Sequence, residues 1–355
     1  MKHLAPACFR AFACAAGSCP DSCCRAGWEI IPDDDTIQLY NTLSGPDGER
    51  VREGILPGTE PLLRQDERRV CVLLDPDGLC CVQRHFGHGA LCRVCREYPR
   101  FHREFGNLTE HGLSLSCPTA YALATGASPA WEEWEDEAPI VPNELDPAAY
   151  LRLRKGRALA LALLAREALP LQARLRLLHR LAAAMQGAPE LRISHNYEAR
   201  LRRWTTLPPS RRDKHGLSLH PEKKGAADCG ALARRFLDLE ILSPEWRDAL
   251  ERFAALAAAG RLPGPLPPPG DPEPYARWLW YELYKYWLDA LDDGRLLARA
   301  ERSLAMLLLG LAMDRALPGE GPFLRRISRE IEHCEENLES LLDPALGKLV
   351  RDVLG

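Results

Sequence analysis

The stretch FACAAGSCPDSCCRAGW, Phe12–Trp28, governs how the rest of this chain is read, because it sets Cys14, Cys19, Cys23 and Cys24 close together. Cys19 and Cys23 are four residues apart, so one helical turn or tight loop can aim both thiolates at a single ion, which leaves Cys24 to point elsewhere. Further thiols follow downstream. Cys71 and Cys80 flank Asp75-Pro76-Asp77-Gly78, whose residue types suit a type I turn, so Arg69–Leu74 and Leu79–Gln83 are predicted to form a short hairpin that delivers both thiols together. Cys92 and Cys95 form a CxxC. Phe101–Phe105 and Leu113–Ser116 are predicted to pair across Gly106, Asn107 and Gly112, and folding back there carries Cys117 toward Tyr98-Pro99-Arg100 and hence toward Cys95.

Eleven of the thirteen cysteines fall between Cys8 and Cys117. An odd number cannot all pair internally. Arg10 interrupts the apolar run after Lys2, and cleavage near Ala15 would discard Cys8 and Cys14, so no signal peptide is read and the chain is expected to be cytoplasmic. A reducing compartment does not keep disulfides, which leaves metal ligation as the better use of clustered thiols. Four thiolates suit zinc and iron-sulfur clusters alike, so ligand count does not choose between them. Cys229 and Cys334 are read differently, as small buried apolar residues, Cys334 on the helical stripe Phe323, Ile327, Ile331, Cys334, Leu338, Leu341.

The chain has 355 residues, 46% hydrophobic and 27% charged, with a net charge of −4, a profile that excludes a disordered chain and leaves room for two or three domains. Its longest apolar run, Leu304 to Met313, is half of the roughly 20 residues needed to cross a bilayer, so no membrane partner is expected. The expected fold class is mainly α: a small cysteine-rich, metal-binding α+β domain with short hairpins at the amino-terminal end, then an all-α region. The boundaries read as 1–127 for the cysteine-rich domain, 128–146 for an acidic, exposed connector, 147–260 for a first helical region, 261–274 for a proline-rich linker and 275–355 for a second helical region. Seven acidic and no basic residues mark the connector, and seven prolines mark the linker.

The run FACAAGSCPDSCCRAGWEI, then CVLLDPDGLCCVQ, LCRVCREYPR and LSLSCPTAYAL resembles the flagellin lysine-N-methylase (FliB) family over residues 12 to about 123, with Trp28, Gln83, Gly87, Tyr98-Pro99-Arg100 and Pro118 accompanying the cysteines. Tyr275–Leu291 and Phe323–Leu342 resemble the family's later helices more loosely. The resemblance implies a protein-lysine N-methyltransferase that transfers methyl from S-adenosylmethionine to surface lysines of flagellin and carries a [4Fe-4S] cluster, with zinc as the alternative metal. Carried over position by position, Cys14, Cys19, Cys23, Cys24, Cys71, Cys80, Cys95 and Cys117 are the metal-ligand candidates, and Cys8, Cys81 and Cys92 are accessory. Eight thiols exceed one cluster, so there are two sites or half of the set ligates. The radical S-adenosylmethionine pattern CxxxCxxC fails, since Ala26 stands where the third cysteine belongs. His88, with three residues between it and Cys92 and two more between Cys92 and Cys95, repeats that spacing with histidine in front and reads as a loop histidine.

No glycine-rich turn joins a strand to a helix, so a Rossmann-type donor site is not expected, and catalytic and donor-binding residues stay unassigned. The aromatics of Tyr275–Trp287 could stack an adenine or attract a sulfonium, but an all-round buried helix of core aromatics is the favoured reading. Arg329, Glu332 and His333 share one helical face and read as a surface ion pair, and Trp131–Glu137 as solvated linker. Residues 151–224 hold 17 basic and 5 acidic side chains. That excess supports a competing reading, a non-enzymatic zinc or iron-sulfur module binding nucleic acid or a protein through arginine-rich helices, although arginines on solvated helix faces account for it too and nucleic acid is not favoured.

Overall fold

The computed structural model describes residues 1–139, 145–187, 224–262 and 270–354, and the side chains of 224–227 are not described. Half of the proline-rich linker, 263–269, and the basic stretch over 188–223 therefore lie outside the described residues. The mainly α expectation holds. One four-stranded sheet and a set of helices share a large core, and a second, small core lies among the cysteines.

Four strands build the sheet: β1 (Lys2–Pro6), β2 (Arg100–Phe105), β3 (Leu108–Leu113) and β4 (Trp131–Glu135), in the order β2-β3-β1-β4. β1 runs parallel to β3 and antiparallel to β4. A parallel pair needs a crossover, and here ten of the eleven amino-terminal cysteines, Cys8 to Cys95, lie within it, so residues 7–99 begin and end at the same sheet. The predicted second hairpin forms with a tighter turn than expected. Phe105 pairs with Leu108 across Gly106-Asn107, with Gly106 at φ +63°, and Leu113 already closes the second strand opposite Arg100. Gly112 lies inside that strand.

The acidic stretch expected to be an exposed connector instead supplies β4. Its register holds because its two tryptophans anchor opposite faces: Trp131 packs on Trp280, centroids 5.0 Å apart, and Trp134 stacks on His3 and His111. The glutamates between them suit an edge strand, where charge discourages further pairing.

In the helical part, side-chain caps and prolines start the helices where the sequence offers them. Asp146 caps Pro147–Leu164 through the Ala148 and Ala149 amides, and Ser243 caps Pro244–Ala258 through that of Trp246. The apolar run Leu304–Met313 is buried inside the helix Leu296–Ala316. Gly310 lets Phe323–Ile331 approach closely, since a Cβ there would meet Leu324 Cδ2 at 2.4 Å. The aromatic helix Glu273–Tyr286 is a core element, with Trp278, Trp280, Tyr281, Tyr284 and Tyr286 all buried. It also latches the sheet, because Leu113 N donates to Tyr281 Oη at 2.5 Å and Tyr284 Oη donates to His111 O at 2.7 Å. Several arginines of the basic stretch are buried and paired: Arg157 with Glu110 of β3, and Arg174 with Glu273.

Candidate functional site

The loop Cys14–Trp28 is held from below by the helix Phe323–Ile331. Arg325 and Arg329 both pair with Asp21, Arg329 Nη2 donates to Arg25 O at 2.7 Å, and Trp28 Nε1 donates to Arg329 O at 3.3 Å. Arg329 thus joins two regions instead of forming the expected local surface pair. Ala16, at φ +48°, bends the backbone between Cys14 and Cys19, a conformation rare outside glycine. Ser22 caps the short turn Cys23–Arg25 by accepting from the Cys24 amide.

The predicted first hairpin forms only at its turn. Gly78 N donates to Asp75 O and Asp75 N to Leu79 O, Leu74 bridges Cys80, and then the chain enters a helix, Cys81–Phe86, where a second strand arm was expected. In that helix Cys81 and Val82 are buried in the small core and Phe86, one turn beyond Val82, packs against it. Cys71 is placed by a different bond, its amide donating to Cys24 O at 2.9 Å.

All thirteen cysteines are free thiols. The eight candidates fall into two adjoining groups whose members act on one another electrostatically. Cys23 is affected by Cys24, Cys14 and Cys117, and Cys117 by Cys19 and Cys14. Cys71 is affected by Cys24, Cys80 and Cys92, and Cys95 by Cys92, Cys24 and Cys23. Cys117 folds back toward Tyr98-Pro99 as expected, with Ser114 N donating to Pro99 O at 2.7 Å, and it also adjoins Cys14 and Cys19 as the residue preceding the helix Pro118–Gly126. Cys92, read as accessory, stands beside Cys95 in the second group. Cys8 lies apart, its thiol hydrogen-bonded to Tyr281 and pushed up to about 11 by burial.

Burial pushes the Cys71 thiol up to about 12 and raises Cys80, Cys19 and Cys117 as well. Two neighbours run the other way: Cys24 is drawn down to about 7 by a hydrogen bond from Cys23, and Cys92 to about 7 by one from Cys95. In each pair the hydrogen bond favours the thiolate of one partner over the other. A zinc tetrahedron with Zn–S near 2.3 Å brings its sulfurs to about 3.8 Å of one another. Among the described residues no three cysteine sulfurs lie within 4.8 Å of one another. Thiol donors of this kind are chemically compatible with zinc and with an iron-sulfur cluster alike.

Against this patch opens a cleft of about 920 Å³. One wall is Cys23, Cys24, Cys71 and Cys95 with Trp28 and Tyr98, and the other is Glu240, Glu330, His333, Cys334, Glu336 and Asn337. Six glutamates line it and a single arginine, Arg69, so it is strongly acidic. Burial holds the Glu330 carboxyl above the usual carboxylate range, and its Oε2 accepts from Leu242 N at 2.9 Å. Trp28 lies over His333, centroids 3.9 Å apart, and His333 Nε2 is 2.9 Å from Ser116 Oγ, which in turn meets Tyr98 Oη at 3.0 Å. Behind them Ser114 Oγ donates to Glu332, whose carboxylate pairs with buried Lys285.

Cys334 corrects a sequence expectation. It caps the helix Glu335–Ser340, accepting from Asn337 N at 3.4 Å, and lines the cleft instead of an apolar stripe, because the helix breaks between Ile331 and Glu335. Cys229 is buried as expected. The glutamate wall was not visible in the sequence, since Glu240 and Glu330 come from separate helical neighbourhoods. Trp28 and Tyr98 were visible, as companions of the cysteines.

Fold and site together define a class of protein, an α-rich chain with a thiolate patch beside an acidic, aromatic cleft. No family model and no solved structure matches the chain. It is 33% identical over 124 residues to the flagellar biosynthetic protein FliU of Salmonella muenchen, covering 32% of this chain and 70% of that one. It is 30% identical over 158 residues to a lysine-N-methylase of Salmonella typhimurium and 33% identical over 158 residues to one of Salmonella choleraesuis, in each case covering 39% of this chain and 38% of the relative. The match thus spans well under half of the methylases' length. The chain belongs to the flagellin lysine-N-methylase (FliB) family.

Proposed function

We propose that this protein is a cytoplasmic, S-adenosylmethionine-dependent protein-lysine N-methyltransferase acting on flagellin, with Cys14, Cys19, Cys23, Cys24, Cys71, Cys80, Cys95 and Cys117 holding iron-sulfur chemistry. The relatives named lysine-N-methylase support the reaction class. The observation that carries the substrate reading is the charge of the cleft, whose six glutamates favour a cation such as a lysine side chain or a sulfonium, over the aromatic faces of Trp28 and Tyr98. No described helix is long and apolar enough to cross a membrane.

Methyl transfer to lysine needs the neutral amine. At pH 7 an unperturbed lysine is neutral in only about 1 molecule in 2,500, a deficit on the order of 4.6 kcal/mol. Glu330, buried at the cleft wall with a raised carboxyl, is the proton acceptor we assign. With the proton on Glu330, the nitrogen lone pair bonds to the methyl carbon, and the electron pair of the broken S–C bond stays on sulfur. An iron-sulfur cluster would cross-link segments far apart in sequence and offer a one-electron couple. The displacement itself uses no electron.

The test is to incubate anaerobically purified protein with S-adenosylmethionine and flagellin and to follow lysine peptides by mass spectrometry. One-methylene mass steps on flagellin lysines are expected. Their absence with iron and sulfide intact would overturn the enzyme reading.

A further inference from the structure

A second set of ligand-type side chains meets outside the cleft. The helix Cys81–Phe86 carries Cys81 and His85 at i and i+4, hence on one face. The helix Gly45–Glu53 presents Asp47 to that face from its first turn. The ligand atoms of Asp47, Cys81 and His85 all lie within 4.8 Å of one another, and His85 Nδ1 is 3.2 Å from Asp47 Oδ2. The set is graded in exposure: Cys81 is fully buried in the small core, Asp47 is half-buried and His85 faces solvent.

We propose that Asp47, Cys81 and His85 form a mononuclear site for a zinc-class divalent cation, distinct from the thiolate patch, with a fourth position open to water. The donor chemistry supports this. One thiolate, one imidazole and one carboxylate are the ligand types that zinc accepts, and three protein ligands with an exposed fourth position describe an open tetrahedral site. Binding replaces the Cys81 thiol proton, which leaves to solvent, and the charge of the cation is balanced by thiolate and carboxylate. The nearby guanidiniums do not cancel it, because Arg50 pairs with Asp75 and Arg84 with Asp75 and Asp77. Such an ion would add a cross-link between two helices that the small core also joins, through Val51 and Val82.

The competing reading is an ordinary Asp47–His85 ion pair above a core cysteine. The two are separated on the full-length protein with cobalt(II) as the spectroscopic probe, taking the difference between parent and His85→Ala. That difference cancels any cobalt held elsewhere, so the result does not depend on the methyltransferase reading. We expect one equivalent of cobalt in the parent with thiolate-to-metal charge transfer and tetrahedral d–d absorption, lost in His85→Ala and Asp47→Asn, while iron content stays unchanged. Cys81→Ser should lose the charge-transfer band first. Should Cys81→Ser fail to fold, the two variants on the exposed side decide. A cobalt spectrum identical in parent and His85→Ala would overturn the proposal.

Discussion

The cysteine-rich segment and the helical part of this protein reach stability by different means. Among the described residues, the helical part buries a continuous set of Trp, Phe, Leu and Met side chains that also takes in Phe12, Leu113 and Cys117. The small core holds nine buried residues, Tyr40, Val51, Leu63, Leu73, Cys81, Val82, Ala90, Leu91 and Cys92, two of them cysteines. A core of that size supplies little free energy on its own, and small domains of this kind are ordinarily stapled by metal or disulfide. The difference teaches that the helical frame stands on apolar burial, while on the metal reading proposed above the cysteine segment would depend on what its free thiols bind.

The sharpest way to break this comparison is to take the metal away. Chelation, or Cys23→Ala or Cys95→Ala, is expected to expose residues 14–95 to protease while the helices keep their circular dichroism, an effect on the order of 10 kcal/mol for a structural thiolate site. Equal metal content in the Cys23→Ala protein and the parent would remove that residue from the ligand set.

Next in size is the bond between the two regions' common sheet and the helices. Arg157 and Glu110 are both buried, so Arg157→Leu leaves an uncompensated carboxylate and should cost about 3–5 kcal/mol in urea unfolding. The double variant Arg157→Leu/Glu110→Leu should recover much of that loss. A single-variant cost under about 1 kcal/mol would show that water reaches the site.

A smaller effect is expected from acid. Burial, with His3 and His102 nearby, lowers His111 from its ordinary value of 6.5 to about 4. Between those values the unfolded chain binds the proton and the folded one does not, so stability falls as pH drops from about 6.5 to 4, by about 1–3 kcal/mol. His111→Gln should flatten the melting temperature across that window. Smallest is Cys334→Ala, which removes a weak cap and should cost about 0.5–1 kcal/mol with no change in metal content.

Legibility differed between the regions for a physical reason. Thiol chemistry and turn residues are local, so the cysteine set, the Asp75–Gly78 turn and the Gly106-Asn107 hairpin could be read from short stretches. The fates of Cys81, Cys334 and Trp131–Glu135 could not. A helix stands in place of a strand at Cys81, with Val82 buried in the small core, and Cys334 left its stripe because the helix ended at Ile331. The tryptophans of Trp131–Glu135 drew an acidic segment into the sheet by contacts with His3, His111 and Trp280.

By itself, then, the order of residues determined that this is a mainly helical chain with a thiol-rich front, since periodicity and clustered cysteines are properties of neighbours along the backbone. Only the tertiary structure decided that Glu240, Glu330 and Glu336 face Cys24, Cys71 and Cys95 across one cleft, and that Cys117 joins Cys14, Cys19 and Cys23. Charge accumulates in that cleft because segments far apart in sequence are brought together by long-range packing, which no local pattern encodes.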